Sequence, residues 1–194
     1  MKIIETKVYN YDELSEKAKQ KARDWFTTNL EFSPKYIIDI YTKKLEALGF
    51  YDITIHYSGF YSQGDGAMFQ GNWNKELFNL KESTELFLGE EVCYIKLFAD
   101  LVKIETVENV EIHHFGHYYH YNSKSIQYNF SEKSSDSSIE DAFEKDFNEV
   151  YVDLCKDLYQ ALEKHYEDET SECSVEANTR ESEYTFTENG TRFG

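Results

Sequence analysis

The feature that most constrains this chain lies between Ile139 and His165. Ile139, Phe143, Phe147, Val150, Leu154, Leu158, Ala161 and His165 follow one another at spacings of 4, 4, 3, 4, 4, 3 and 4 residues. Residues so spaced share one stripe of an α-helix, whereas a strand would scatter them over both faces. The pattern predicts an amphipathic helix over 139–166, about seven turns long. Its other face carries Glu140, Asp141, Glu144, Asp146, Glu149, Asp153, Asp157 and Glu163. The polar stretch 131–138 before it reads as a linker that supplies Ser137 or Ser138 as N-cap.

The remaining segments supply a sheet and further helices. Residues 2–9 read as a strand. Asp12 is the expected N-cap of a helix over 12–30, with Leu14, Ala18, Ala22, Trp25, Phe26 and Leu30 on its apolar face. Ser33-Pro34 starts a helix over 34–48, closed by Gly49. Residues 51–71 alternate on both sides of Ser62-Gln63-Gly64-Asp65-Gly66, which predicts a hairpin with a polar, glycine-rich tip. The stretch 74–88 fits a short helix or a loop. An apolar stripe including Val92 and a buried Cys93 predicts a helix over 90–105. Residues 109–130 return to the strand period with a turn at Asn122-Ser123-Lys124. Val175 lies in an acidic stretch that predicts a second short helix, and Asn189-Gly190 predicts a terminal hairpin. The expected fold is a single α+β domain over 1–194. It has one antiparallel sheet of about four to six strands, including the terminal strands, packed by about four helices.

Charge narrows the function. The chain of 194 residues carries −17 at pH 7. Residues 131–183 alone hold 17 acids against 5 bases. Such a field repels phosphates, which disfavours direct binding of nucleic acid, and it attracts basic protein surfaces. Solubility alone is an alternative use of the same charge. No apolar run reaches the ~20 residues that span a bilayer, and the first residues do not read as a secretory signal. Cysteines at 93, 155 and 173 fit neither a disulfide framework nor a CxxC metal site, as expected of thiols in a reducing cytosol.

No nucleophile-elbow, zinc-protease, kinase or dinucleotide pattern occurs. The reading therefore leans to a binding protein over an enzyme, with no catalytic residue singled out and no cofactor expected. His113, His114, His117 and His120 fall within eight residues. A regular strand would place His114 and His120 on one face and His113 and His117 on the other. That separation argues against a metal site. The hairpin tip remains a candidate ligand loop through Tyr61, Ser62, Gln63, Gly64, Asp65 and Gly66, with His120 as a further contact.

Four stretches, YNYDELSEKAKQKARDWF (9–26), SGFYSQGDGAMFQG (58–71), GHYYH (116–120) and SEYTFTENGTRF (182–193), together resemble a widespread phage and prophage protein family. Its members are often labelled antitoxin-like or uncharacterised. The resemblance rests on an SGF-x-SQGDGA-x-F-x-G element and does not extend residue by residue to 74–107. It implies a phage-encoded α+β protein of the host cytoplasm. Together with the acidity, it leads to the expectation of an inhibitor of a host defence complex, anti-CRISPR-like. The acids from Glu140 to Glu163 would compete with phosphates for Lys and Arg of a basic nucleic-acid-binding effector. The alternatives are an antitoxin neutralising a basic toxin, or a small-ligand or nucleotide binder using the hairpin tip. A homodimer is a further option.

Overall fold

The structure, a computed structural model, describes residues 5–87, 93–131 and 137–194, with the side chain of Cys93 excluded. The first part of the strand expected over 2–9, Val92 and the Cys93 side chain of the expected stripe, and most of the 131–138 linker lie outside the described residues.

In chain order the elements are β1 (Tyr9–Asn10), α1 (Glu16–Thr28), α2 (Lys35–Ala47), β2 (Phe50–Tyr57), β3 (Ala67–Trp73), α3 (Leu80–Leu86), α4 (Cys93–Leu101), β4 (Val107–His114), β5 (Lys124–Phe130), α5 (Ser137–Thr170), α6 (Glu172–Glu181), β6 (Thr185–Phe186) and β7 (Arg192–Phe193). Single 3₁₀ turns occupy Tyr11–Glu13 and Lys75–Leu77. The fold is α+β, and both sheets are antiparallel. Among the described residues no helix is long and apolar enough to cross a membrane. The chain forms two compact units, residues 35–163 and residues 1–34 with 164–194.

The larger unit holds a four-stranded sheet in the order β2-β3-β4-β5, so each neighbouring pair is consecutive in sequence. The expected hairpin over 51–71 is present as β2 and β3. The stripe on α5 is buried where expected at Phe143, Phe147, Val150, Leu154 and Leu158. Tyr151, Cys155 and Leu162 are buried as well, which widens the stripe. Ile139 at the helix start is exposed. The core is aromatic: Trp73 of β3 meets Phe98 of α4 and Phe143 and Phe147 of α5 at ring separations of 6.1, 6.0 and 5.4 Å. Phe69 packs on Tyr151 at 4.8 Å, and the Tyr151 hydroxyl donates to the Phe69 carbonyl at 2.9 Å.

A helix C-terminus leaves carbonyls that need donors. At the end of α2 these come from the chain that follows. The Ala47 carbonyl accepts from Asn79 N–H at 2.9 Å and the Ser83 hydroxyl at 2.8 Å. The Leu48 carbonyl accepts from the Trp73 indole N–H at 2.8 Å. Gly49 turns the chain with φ +98°, as expected of a left-handed cap.

The smaller unit corrects three expectations. The terminal strands do not join the four-stranded sheet; they form their own sheet in the order β1-β6-β7, each strand two residues long. Among the described residues of the strand expected over 2–9, pairing begins only at Tyr9, in Tyr9–Asn10, and residues 5–8 have no regular structure. The helix expected from Asp12 begins at Glu16 with Ser15 as N-cap, because Asn10 and Glu13 first close a capping box around the 3₁₀ turn. Asp12 instead pairs with Arg180 of α6 at 2.9 Å. The predicted apolar face holds in part: Leu14, Ala18 and Ala22 are buried with Phe186.

In the larger unit, replacing Trp73 with Phe removes the buried donor to the Leu48 carbonyl as well as part of the ring. Trp73→Phe is expected to cost about 2 kcal/mol, read as a fall in Tm of roughly 4–8 °C. A Tm unchanged within a degree would show that this bond does not fasten α2 to the sheet.

Candidate functional site

Two loops of the larger unit meet at one end of its sheet. The first, residues 58–66, joins β2 to β3. Ser58 and Gly66 close it, through Ser58 N–H to the Gly66 carbonyl at 3.0 Å and Gly66 N–H to the Ser58 hydroxyl at 3.0 Å. Within it the Asp65 carboxylate accepts Ser62 N–H at 2.7 Å, and Asp65 N–H reaches the Ser62 carbonyl at 3.1 Å. Asp65 thus braces its own turn in the way short acidic side chains do. Ser62 and Gln63 are exposed.

The second loop, residues 115–123, joins β4 to β5. It replaces the first strand expected to run on to the turn at Asn122-Ser123-Lys124; the returning strand is present as β5. β4 stops at His114, and two residues on Gly116 takes φ +102°, a conformation open to glycine. His117 and His120 therefore lie in the loop, and the expected sorting of four histidines onto two strand faces does not occur. His120 turns toward the first loop: a Cβ on Gly66 would stand 2.8 Å from its ring. A Cβ on Gly64 would stand 3.4 Å from the Tyr118 ring. The close approach of His120 demands the missing side chain at Gly66, whereas Gly64 is favoured by its φ of +95°.

Behind the loops, His56 of β2 stacks on Tyr119 with ring centres 5.0 Å apart and planes 12° from parallel. His114 lies 5.7 Å from His56 and 5.1 Å from Tyr119. The His56 Nε2 atom is buried and has no hydrogen-bond partner. Burial, and then the neighbouring His114, lower the pKa of His56; burial, and then Lys124, lower that of His120. His113 instead sits 3.5 Å from the Glu111 carboxylate. Among the described residues no group of three or more His, Cys, Asp or Glu side chains is placed to hold a metal ion.

Outward, the same end displays Tyr61, Phe115 and Tyr118 at 69%, 74% and 64% exposure. Phe115, Tyr118, His56 and Tyr119 were not singled out by sequence reasoning, although GHYYH (116–120) contains two of them. Tyr159 of α5 also belongs here. Its hydroxyl is hydrogen-bonded to the backbone of Tyr61, its ring lies 5.8 Å from Phe60, and burial with Glu163 and Asp65 nearby raises its pKa.

The acids of α5 divide into two groups. Asp141, Glu144, Glu149 and Asp153 are exposed, whereas Glu140, Asp146, Asp157 and Glu163 are half-buried. Asp157 has an internal role, since its carboxylate accepts the Tyr94 hydroxyl at 2.6 Å. Asp153 pairs with Lys156 at 3.2 Å. Asp141 and Glu144 line a groove of about 580 Å³ beside β5, together with Lys124, Tyr128 and Lys145. The two buried groups under the helix are chemically quiet: burial pushes the Cys155 thiol up to about 12 and raises the pKa of Tyr151.

The lowered histidines fix a pH response. Both rings take up a proton less readily in the folded chain than at their ordinary value of 6.5. The unfolded chain therefore binds more protons below about pH 6.5, so stability present above that pH is lost as the pH falls. Tm is expected to drop on acidification from about pH 7.5 to about pH 5. The double variant His56→Phe/His120→Gln should flatten the slope. An unaltered slope would show that these rings do not control it.

Residues 34–172 match the family described as Domain of unknown function (DUF8835), and the chain belongs to this family. The match includes both loops and α5. No curated protein and no solved structure matches the chain.

Proposed function

We propose that this member of the DUF8835 family is an acidic binding protein that docks on a basic, nucleic-acid-binding surface of another protein. The carrying observation is the set of exposed carboxylates Asp141, Glu144, Glu149 and Asp153, spread over about half the circumference of α5, in a unit whose 23 acids and 11 bases leave −12. These carboxylates stand in for phosphates. The resemblance to phage and prophage proteins gives the reading its biological form, inhibition of a host defence complex in the host cytoplasm. An antitoxin directed at a basic toxin would use the same surface.

Magnitude sets what these charges can do. From Asp141 to Asp153 the helix rises about 18 Å, roughly one exposed charge per 6 Å of axis, shared between both flanks of the exposed side. A DNA strand carries one phosphate per about 3.4 Å of axis. Lys145 and Lys156 dilute the field further. A field of this density raises the rate of encounter and orients the partner, and it is weakened by salt.

The test is capture of proteins from bacterial lysate on the immobilised chain, at low and at high salt, identified by mass spectrometry. Wild type is expected to retain a basic nucleic-acid-binding protein or toxin at low salt and release it at high salt. The variant carrying Asp141→Lys, Glu144→Lys, Glu149→Lys and Asp153→Lys should lose it. These four positions spare Asp157, so the Tyr94 contact remains. Retention by the reversed variant would overturn phosphate mimicry.

A further inference from the structure

The two-loop end of the sheet carries an observation that the acidic helix does not explain. Tyr61 holds φ at +80° although it is not glycine, and its ring is largely exposed. A bulky residue in the left-handed region costs of order 1–3 kcal/mol. Burial of so exposed a ring recovers little of that cost. Gly64, three residues on, also has positive φ and lies under the Tyr118 ring. Tyr118 thus lies against Gly64, and Tyr61 stands exposed three residues before it on the loop braced by Asp65. Carboxylates lie on the Tyr61 side, and Lys124 lies near His120. Asp65 and Glu163 both lie close enough to Tyr159 to help hold its hydroxyl protonated, and Tyr159 is bonded to the backbone of Tyr61.

We propose that this end of the sheet is an arginine-docking site, in which a guanidinium of the partner lies against Tyr61 and Tyr118 with Asp65 as counter-charge. The proposal rests on the reading that the partner is basic and names the side chain this surface takes. A planar, weakly hydrated guanidinium stacks on aromatic rings and donates to carboxylates at its edge, whereas an ammonium is a strongly hydrated point charge. Braced loops with exposed aromatics bind without a large ordering cost. The carboxylate of Asp65 that holds Ser62 N–H has lone pairs for a second donor.

The test uses two fluorescein-labelled peptides, acetyl-(Gly-Arg)4 and acetyl-(Gly-Lys)4, titrated by fluorescence anisotropy at low salt. The arginine peptide is expected to bind about fivefold more tightly than the lysine peptide. Tyr61→Gly and Tyr118→Ala should each bring the arginine peptide down to the level of the lysine peptide. Tyr61→Gly should at the same time hold or raise Tm, because glycine adopts the positive φ without strain. The quadruple reversal on α5 should weaken both peptides alike and leave their ratio unchanged. Equal, salt-sensitive binding of both peptides that ignores Tyr61 and Tyr118 would overturn the arginine site and leave the basic-partner reading standing. Binding of neither peptide would overturn both. A fall in Tm of several degrees for Tyr61→Gly would assign Tyr61 a structural role and overturn the proposal.

Discussion

The indole of Trp73 fixes the larger unit of this protein. It is fully buried, and its N–H is the donor that the Leu48 carbonyl at the end of α2 receives. Its ring faces α4 and α5 at once. A buried carbonyl without a donor costs more than an ordinary hydrogen bond contributes, so α2 has little freedom to move from this position. Asn79 and Ser83 satisfy the neighbouring Ala47 carbonyl. The end of one helix is therefore capped by the strand and turn that follow it. β3 runs from this anchor back to Ala67, where the loop 58–66 begins.

That arrangement explains how an exposed loop is held. One end of β3 is pinned by Trp73. Phe69 in its middle is pinned by Tyr151, through both ring contact and a hydrogen bond. The loop at its other end is closed by Ser58 and Gly66 and braced inside by Asp65. The second loop then seats His120 on Gly66 and Tyr118 on Gly64. Rigidity travels from an aromatic core to an aromatic surface along a single strand. The acidic face of α5 belongs to the same unit, so steering charge and displayed rings are carried by one body.

Local periodicity was legible in the sequence, and long-range pairing was not. The spacing from Phe143 to Leu158 defines a helix face because burial follows the 3.6-residue turn. The SQGDG turn was legible because positive φ and Asx bracing demand those residue types. By contrast, residues 109–130 read as two strands joined at 122–124, yet β4 ends at His114, Gly116 takes a positive φ, and His117 and His120 fall in a loop. Residues 2–9 have the composition of a strand, but among the described residues 5–10 only Tyr9–Asn10 find a partner, in β6. The exposed acids of α5 were visible as a list. Which of them is consumed internally, as Asp157 is by Tyr94, depends on a residue 63 positions away. The meeting of segments 58–66 and 115–123 is likewise a product of sheet order, and neither segment signals the other.

The central claim is that the two-loop end is a preorganised surface and not a pair of mobile connections. Backbone ¹⁵N relaxation of residues 58–66 and 115–123, set against β3 and β4, tests it directly. Order parameters in both loops are expected near those of the strands, about 0.85. Values below about 0.6 in either loop would contradict it.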